Sequence, residues 1–198
     1  MTSRGKGKSN SAAKRTWWGL LFLLGVLLGS EVPKYVRRSS RGVRSAGDIE
    51  AFFSPKGGCT AHIVEAVAKA NKEIDIFIFS CSSDAIVQAL CEAKQRGVRV
   101  RIIADSNQAA GKYSKIGNLA SVVDEVYIDS RAGNAHHKFM VIDGESVLTG
   151  SFNYSKNAEQ YNRENLLHIH EPAIAVKYRQ AWEQSVKDKR VVRYGDLN

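Results

Sequence analysis

Two periods of apolar residues alternate along the C-terminal three quarters of the chain, and they predict helices interleaved with strands. Apolar residues recur at intervals of three and four in residues 60–71, 83–96 and 172–187, which predicts three helices. Thr60 is the expected N-cap of the first helix, and Gly97 is the expected residue just after the second. Shorter segments show strand-like alternation or continuous apolar character. The predicted strands are residues 49–53, 74–80, 98–104, 122–128, 135–142, 146–151 and 166–170.

The order of these elements predicts an α/β fold with a mixed β-sheet flanked by helices. Strands alternate with helices in the first part and are joined by hairpins later, a combination that indicates an α/β sandwich. Residues 105–121 contain few apolar anchors and are expected to form a mobile loop with a short helix. The folded domain is predicted to span residues 48–188, with a C-terminal tail at residues 189–198.

The N-terminal part of the chain has the features of a targeting segment followed by a linker. Residues 1–16 are polar and basic, and residues 17–29 form an uninterrupted apolar run of thirteen residues. That run is shorter than the roughly twenty residues of a spanning helix but matches the apolar part of a signal peptide. Residues 1–30 are therefore predicted to be a signal peptide or an uncleaved signal anchor. The protein would then be exported, either periplasmic or secreted, or anchored to a membrane. Residues 31–47 are expected to form a basic linker.

The net charge of +9 is concentrated in this N-terminal part. Residues 1–44 contain ten Lys or Arg and one acidic residue, whereas residues 45–198 contain nineteen basic and nineteen acidic residues. A strongly basic chain suggests a nucleic-acid partner. Because the predicted domain is neutral, composition does not show that its folded part binds nucleic acid.

One segment of eighteen residues combines the side chains that phosphodiester chemistry needs. His136 and Lys138 are two apart and share a face of a strand, and Ser151 and Asn153 do the same further on. A neutral imidazole can attack phosphorus, and Lys, Ser and Asn side chains can stabilise the charge on the phosphate oxygens. The leaving oxygen also needs a proton, best from a second imidazole. Since the segment offers one imidazole in the right place, a second copy from another subunit is expected to complete the site.

A hairpin turn is predicted at Asp143-Gly144, in the middle of this segment. A two-residue loop would place His136 opposite Ser151, and a four-residue loop would place His136 opposite Asn153. Either loop brings the four polar side chains to one patch, whereas a three-residue loop would put them on opposite faces. The chemistry therefore predicts a loop with an even number of residues.

The pattern His136-x-Lys138-x4-Asp143-x6-Gly150-Ser151 resembles the HKD signature of the phospholipase D superfamily. Its Gly-Ser-Phe-Asn ending is similar to the small members that carry a single motif, namely bacterial endonucleases and the mitochondrial cardiolipin hydrolase/Zucchini group. Further similarity lies in Phe53-Ser54-Pro55, in residues 93–101, and in Asn162-x-Glu164-Asn165.

The resemblance implies a phospholipase D-like α/β sandwich that forms a homodimer with a shared active site and uses no metal or other cofactor. His136 would be the nucleophile that becomes a phosphohistidine, and the partner subunit's His136 would protonate the leaving group. Glu164 would orient the nucleophilic imidazole, and Asp143 would fix the site without touching phosphorus. The predicted catalytic residues are His136, Lys138, Asp143 and Glu164, and the predicted phosphate-binding residues are Lys138, Ser151 and Asn153.

Two enzymatic functions and one binding function remain open at this point. The favoured one is a metal-independent, nonspecific endonuclease on DNA or RNA. The alternative is a phospholipase D that acts on phospholipid head groups, which the membrane-directed N-terminus supports. The third is a nucleic-acid-binding module without turnover.

The other histidines are assigned no catalytic role. His168 and His170 form a His-x-His pair that lacks a third ligand at a useful spacing, so they are expected to form an exposed face. His62 is expected on the surface of a helix, and His137 is expected to be structural.

Overall fold

The computed structural model of the protein describes residues 49–197. The predicted signal segment at residues 1–30, including its apolar run at 17–29, and the predicted linker at 31–47 lie outside the described residues. Within residues 49–197, no helix has the length and apolar character that crossing a membrane requires.

Eight strands form one mixed sheet within the described residues. They are β1 (Ile49–Phe53), β2 (Glu73–Ile78), β3 (Arg99–Asp105), β4 (Glu125–Asp129), β5 (Lys138–Ile142), β6 (Ser146–Gly150), β7 (Asn165–Ile169) and β8 (Val191–Arg193). Their order across the sheet is β1-β7-β6-β5-β2-β3-β4-β8. β2 and β4 both pair with β3 in parallel. The next pairs outward, β2 with β5 and β4 with β8, are antiparallel. The predicted α/β fold with a mixed sheet is confirmed.

Helices cover both faces of the sheet. They are α1 (Cys59–Lys69), α2 (Asp84–Gln95), α3 (Ser106–Ala109), α4 (Ile116–Ala120), α5 (Lys156–Gln160) and α6 (Pro172–Val186). Ile63 of α1 and Ile86 of α2 are fully buried in the larger core, on one face of the sheet. On the other face, α6 buries Trp182, whose Nε1 donates a hydrogen bond to the carbonyl of Ile76 at 2.8 Å. Gly97 follows the end of α2 with a φ of 91°, as predicted for that position.

The start of α1 differs from the prediction because a distant side chain caps it. The helix begins at Cys59, so Thr60 is not its N-cap. The carboxylate of Glu159 instead accepts hydrogen bonds from the backbone N–H groups of Gly58 (3.1 Å) and Thr60 (2.8 Å). No local sequence pattern reveals a cap that comes from 99 residues away.

Two further segments are more ordered than the sequence predicts. Residues 105–121 contain α3 and α4, and the buried side chains of Ile116 and Leu119 anchor this region to the core, so the expected loop is corrected. In the predicted C-terminal tail, β8 pairs with β4. The sheet therefore extends beyond the expected domain boundary at residue 188.

Candidate active site

His136 and Lys138 lie where β5 meets the end of β2. Lys138 pairs with Ile78, and the N–H of Phe79 donates to the carbonyl of His137 at 2.9 Å. His136 is exposed, and its ring lies 4.6 Å from the Phe79 ring, measured between centroids. The ammonium of Lys138 lies 4.9 Å from the centroid of the same ring. The structure therefore brings the imidazole and the cation together around one aromatic side chain.

Lys138 is a buried cation with spare donors. Its side chain is almost enclosed, with 8% of the residue exposed, and Nζ donates to the carbonyl of His136 at 2.8 Å. Burial lowers the pKa of Lys138, and the negative charge of Glu164 acts in the opposite direction. An ammonium has three donors. Lys138 can therefore still donate to a phosphate oxygen while its backbone contact is kept.

The hairpin between β5 and β6 does not have the predicted loop length. Asp143 and Gly144 have φ values of 54° and 70°, and the N–H of Glu145 donates to the carbonyl of Ile142 at 2.9 Å. These features are those of the predicted two-residue turn. However, Ile142 pairs with Ser146, so Glu145 adds a third loop residue. The prediction of an even loop is therefore wrong.

Strand alternation does not decide where Ser151 and Asn153 lie, because the chain leaves the sheet after β6. The N–H groups of Ser151 and Phe152 both donate to the carbonyl of Asn165, at 3.1 and 3.3 Å, as in a β-bulge. Gly150 permits this approach, since a Cβ at that position would lie 2.2 Å from the same carbonyl oxygen. Beyond the bulge, the N–H of Tyr154 donates to Ser80. Residues 151–154 therefore pass over the end of the sheet.

Ser151 holds the carboxylate of Glu164. Its hydroxyl donates to Glu164 Oε2 at 2.6 Å and accepts the N–H of Asn165 at 3.1 Å. Asn162 Nδ2 donates to Glu164 Oε1 at 2.9 Å. Ser54 Oγ accepts the backbone N–H of Glu164 at 3.2 Å and donates to the carbonyl of Asn162 at 3.0 Å. Ser151 was predicted to bind phosphate, but in the structure its hydroxyl proton is directed at Glu164.

Asn153 retains unused hydrogen-bonding capacity. Its Oδ1 is buried and has no hydrogen-bond partner within residues 49–197. A buried polar atom without a partner is costly, so such atoms are few in folded proteins and often mark functional positions. An amide oxygen only accepts hydrogen bonds, so the predicted contact of Asn153 with a phosphate oxygen would use its Nδ2 group, and Oδ1 is left to accept from another donor.

Two open cavities occupy this end of the sheet. One, of about 340 Å³, is lined by His136, His137, Lys138, Phe139, Thr149, Gly150, Lys177, Tyr178 and Ala181. The other, of about 430 Å³, is lined by Phe53, Ser54, Pro55, Ser151, Arg163, Glu164 and Asn165. Gly150 lines the first cavity, and its chain neighbour Ser151 lines the second.

Asp143 is separated from the other predicted site residues. It follows β5, whereas His136 precedes it, and the five-residue strand between them spans roughly 17 Å. The Asp143 carboxylate accepts the N–H groups of Asn71, Lys72 and Glu73, at 2.9, 2.8 and 3.0 Å. Asp143 thus fastens the hairpin turn to the start of β2, at the opposite end of β5 from the predicted catalytic residues His136 and Lys138.

Several residues of the site were given no role by the sequence. Ser54, Asn162 and Asn165 lie within patterns that resemble those of the phospholipase D superfamily, but only their contacts show that they hold Glu164 and Ser151. Phe79 carries no signal, since an aromatic residue after a strand is ordinarily part of the core. Its position between His136 and Lys138 follows from the pairing of β2 with β5.

The expectation of an exposed His168/His170 face is wrong for His168. This residue is 5% exposed, and its ring nitrogens lie 3.0 Å from Ser146 Oγ and 2.9 Å from His62 Nε2. His62 is half-buried and stacks on Phe52 with 3.9 Å between ring centroids, so it is not a free surface residue. Burial lowers the pKa of His168 to about 3, and the neighbouring imidazoles of His170 and His62 act in the same direction.

Comparisons with known proteins show what the chain is similar to. Residues 63–186 match the family described as "Cardiolipin synthase, PLD-like domain". A phospholipase D from Rickettsia prowazekii is 37% identical over 138 residues, which cover 70% of this chain and 67% of the relative. A mitochondrial cardiolipin hydrolase from Xenopus tropicalis is 42% identical over 117 residues, which cover 59% of this chain and 55% of the relative.

Solved structures share the fold. The phospholipase D family member Nuc from Salmonella typhimurium matches with a TM-score of 0.69 at 29% identity, covering 74% of this chain and 97% of that chain. NucT from Helicobacter pylori matches with a TM-score of 0.67 at 25% identity, covering 74% and 98%. Family, relatives and fold agree, and the chain therefore belongs to the phospholipase D family as a phosphodiesterase hydrolase of that type.

Proposed function

We propose that this protein cleaves phosphodiester bonds in DNA and RNA as a nonspecific endonuclease, through a phosphohistidine and without a metal. The observation that carries the proposal is the exposed His136 imidazole beside the buried Lys138 ammonium, both packed around Phe79. An imidazole is a nucleophile for phosphorus, and a fixed cation supplies the charge stabilisation that a metal supplies in other phosphodiesterases.

The proposed reaction has two displacements at phosphorus. In the first, a ring nitrogen of His136 bonds to phosphorus, the bond to the leaving oxygen breaks, and that oxygen takes a proton from an acid. In the second, water attacks phosphorus and gives a proton to the group that acted as the acid in the first step, the bond between phosphorus and the imidazole breaks, and the phosphate product is released. Lys138 stabilises the phosphate oxygens in both steps, and its burial strengthens this interaction because the surroundings screen it less than water does.

Glu164 is proposed to orient the His136 imidazole. Its two carboxylate oxygens accept hydrogen bonds from Ser151 and Asn162, which hold the group in one position. A carboxylate can accept about four hydrogen bonds, so capacity remains for a ring N–H. A carboxylate behind an imidazole selects its tautomer and stabilises its cationic form, as in hydrolase triads.

The acid for the leaving group is proposed to be the partner subunit's His136, in a homodimer with a shared site. His137 packs against the rings of Phe77 and Phe139, at 4.8 and 5.7 Å between centroids. His168 is buried among Ser146 and His62, near the opposite end of β7 from Glu164. These contacts support a second chain as the source of the missing imidazole.

A mixed population of subunits tests the shared site. Wild-type and His136→Ala chains carry different affinity tags and are co-expressed in equal amounts. If each site needs His136 from both chains, only the wild-type dimers are active, and the mixture keeps roughly one quarter of the wild-type activity per dimer. If each subunit works alone, roughly one half remains. The measurement is the hydrolysis rate of the whole population and of the mixed dimers isolated through both tags. Activity of about half in the isolated mixed dimers rules out the shared site.

The surroundings of the site favour a nucleic acid as the substrate. Arg163 and Lys177 line the two cavities and offer positive charge to neighbouring phosphates. The side chain of Phe53 lies at the edge of one cavity and is 64% exposed, and Tyr161, in the loop before Glu164, is 72% exposed. Exposed aromatic rings beside a cationic groove are suited to stacking on the bases of a single strand.

A phospholipid is the second candidate substrate. It is favoured by the relatives, which are named phospholipase D and mitochondrial cardiolipin hydrolase. The predicted signal anchor would also hold the enzyme at a membrane surface. The same exposed Phe53 and Tyr161 side chains would then contact the lipid head-group region, where aromatic residues are common.

A substrate comparison decides between these candidates. The full chain, with excess chelator, is given single-stranded DNA, RNA, and vesicles of cardiolipin with phosphatidylcholine, and products are followed over time. We expect cleavage of DNA and RNA that survives chelation. Release of lipid head groups without cleavage of DNA or RNA would show that the substrate is a phospholipid. Tight DNA binding without cleavage of any substrate would show that the protein is a binding module. Cleavage that chelator abolishes would contradict the metal-free mechanism.

A further inference from the structure

A cluster of side chains that could hold a metal ion lies at the opposite end of β7 from the candidate active site. We call Glu50, His168 and His170 the histidine cluster. Glu50 of β1 is the direct cross-strand partner of His168, and His170 follows on the same side of β7. One potential ligand atom from each residue lies within 4.8 Å of the other two. The His170 Nε2 and Glu50 Oε1 atoms are 3.2 Å apart.

We propose that the histidine cluster binds a zinc ion or a similar borderline transition metal. Two imidazoles and one carboxylate are a common ligand set for zinc, and hard cations such as Mg²⁺ prefer oxygen ligands. With metal–ligand bonds of about 2.0–2.2 Å, tetrahedral ligand atoms are roughly 3.3 Å apart. Glu50 and His170 have 21% and 44% of their side chains exposed, so small rotations bring them to that spacing.

The surroundings of His168 are suited to orienting a metal ligand. One of its ring nitrogens is 3.0 Å from Ser146 Oγ, and the other is 2.9 Å from His62 Nε2. A metal replaces one of these contacts, and the other then fixes the plane of the ring, as outer-shell partners do in zinc sites. His62 is itself held by its stack on Phe52.

The bound metal would stabilise the attachment of β1 rather than take part in hydrolysis. His170 is six positions from Glu164 along β7, which is roughly 20 Å in an extended strand. Within the described residues β1 pairs with β7 at the end of the sheet, and Ser54, which directly follows β1, holds Glu164. A metal between Glu50 and His170 therefore fastens the strand from which the active-site support emerges. This inference does not depend on the substrate or on the phosphohistidine.

The first experiment measures zinc binding by the full chain after treatment with chelator and its removal. We expect one Zn²⁺ per chain in a calorimetric titration, and no comparable binding of Mg²⁺. Because a ligand that binds only the folded state stabilises it, zinc at about 100 times its Kd should raise Tm by on the order of 5 °C. The absence of a stoichiometric site, or of any shift in Tm, overturns the proposal.

Variants distinguish this site from other imidazoles. Glu50→Gln and His170→Ala, both at partly exposed positions, should weaken zinc binding at least about 10-fold, the loss seen even for outer-shell changes, and should remove most of the Tm shift. His137→Ala is the matched control, since it removes an imidazole outside the cluster and should keep zinc affinity. No His or Cys occurs in residues 1–48, so that segment cannot supply an imidazole or thiolate ligand. Equal zinc binding by the wild type and both cluster variants would show an adventitious ion only.

Discussion

Replacing His136 with alanine is expected to lower kcat/KM for phosphodiester hydrolysis at least about 10³-fold, as loss of a nucleophile does in other hydrolases. In the proposed mechanism the substitution removes the atom that bonds to phosphorus. In a shared site it also removes the acid for the leaving group. A 10³-fold loss corresponds to about 4 kcal/mol of lost transition-state stabilisation. The measurement is the steady-state hydrolysis of a chromogenic phosphodiester and of DNA, with chelator present.

The exposure of His136 makes this loss attributable to chemistry rather than to unfolding. A surface substitution changes the free energy of unfolding by about 0.5 kcal/mol or less, so Tm should stay nearly constant. His137→Ala serves as the neighbouring control and should be at least about 100-fold more active than His136→Ala, given the loss expected of a nucleophile. Retention of more than about one tenth of wild-type activity by His136→Ala would exclude the nucleophile assignment.

Replacing Asp143 with alanine is expected to lower stability and leave the chemistry nearly intact. The Asp143 carboxylate accepts three backbone N–H groups at the start of β2, and hydrogen bonds to charged groups contribute about 1.5–3 kcal/mol each when buried. Water partly replaces them at this exposed turn, so we expect a loss of about 2–4 kcal/mol in the free energy of unfolding. For a domain of this size Tm falls by roughly 2–4 °C per kcal/mol.

Two further substitutions separate the hydrogen bonds of Asp143 from its backbone conformation. The residue has a φ of 54°, which alanine tolerates poorly and glycine tolerates well. Asp143→Gly removes the carboxylate without that strain, and Asp143→Asn keeps one acceptor oxygen, so both should lose less stability than the alanine variant. At a temperature where all variants are folded, kcat/KM should remain within about 3-fold of wild type, below 1 kcal/mol of transition-state stabilisation. If the Asp143→Gly protein is stable but as inactive as the His136→Ala protein, Asp143 acts in the chemistry.

The His, Lys and Asp of the signature illustrate how much of the site was predictable. His136 and Lys138 are two residues apart at the start of a strand, and the two-residue period of a strand puts them on one side. The contact of Asp143 with residues 71–73 joins positions about seventy apart in the chain, and no local pattern predicts such a contact. The sequence therefore predicted that His136 and Lys138 share a side, and the fold placed Asp143 at the turn, away from both.

The failed prediction of an even loop has a specific cause. It assumed that β6 continues regularly to Asn153, so that counting residues decides which side chains share a face. In the structure Glu145 adds a residue at one end of β6, and the bulge at Ser151 ends regular pairing at the other. Alternation is reliable only within an unbroken ladder, and most of the interactions of Ser151 come from outside the hairpin.

The sequence by itself determined the mixed α/β fold, the central hairpin and the placing of His136 beside Lys138, because these follow from short-range periods and turn residues. Only the tertiary structure decided that Ser151 holds Glu164, that a distant glutamate caps α1, and that Glu50 meets His168 and His170. Those contacts join segments far apart in the chain. Their geometry depends on strand order, register and burial across the whole sheet, which local patterns do not contain.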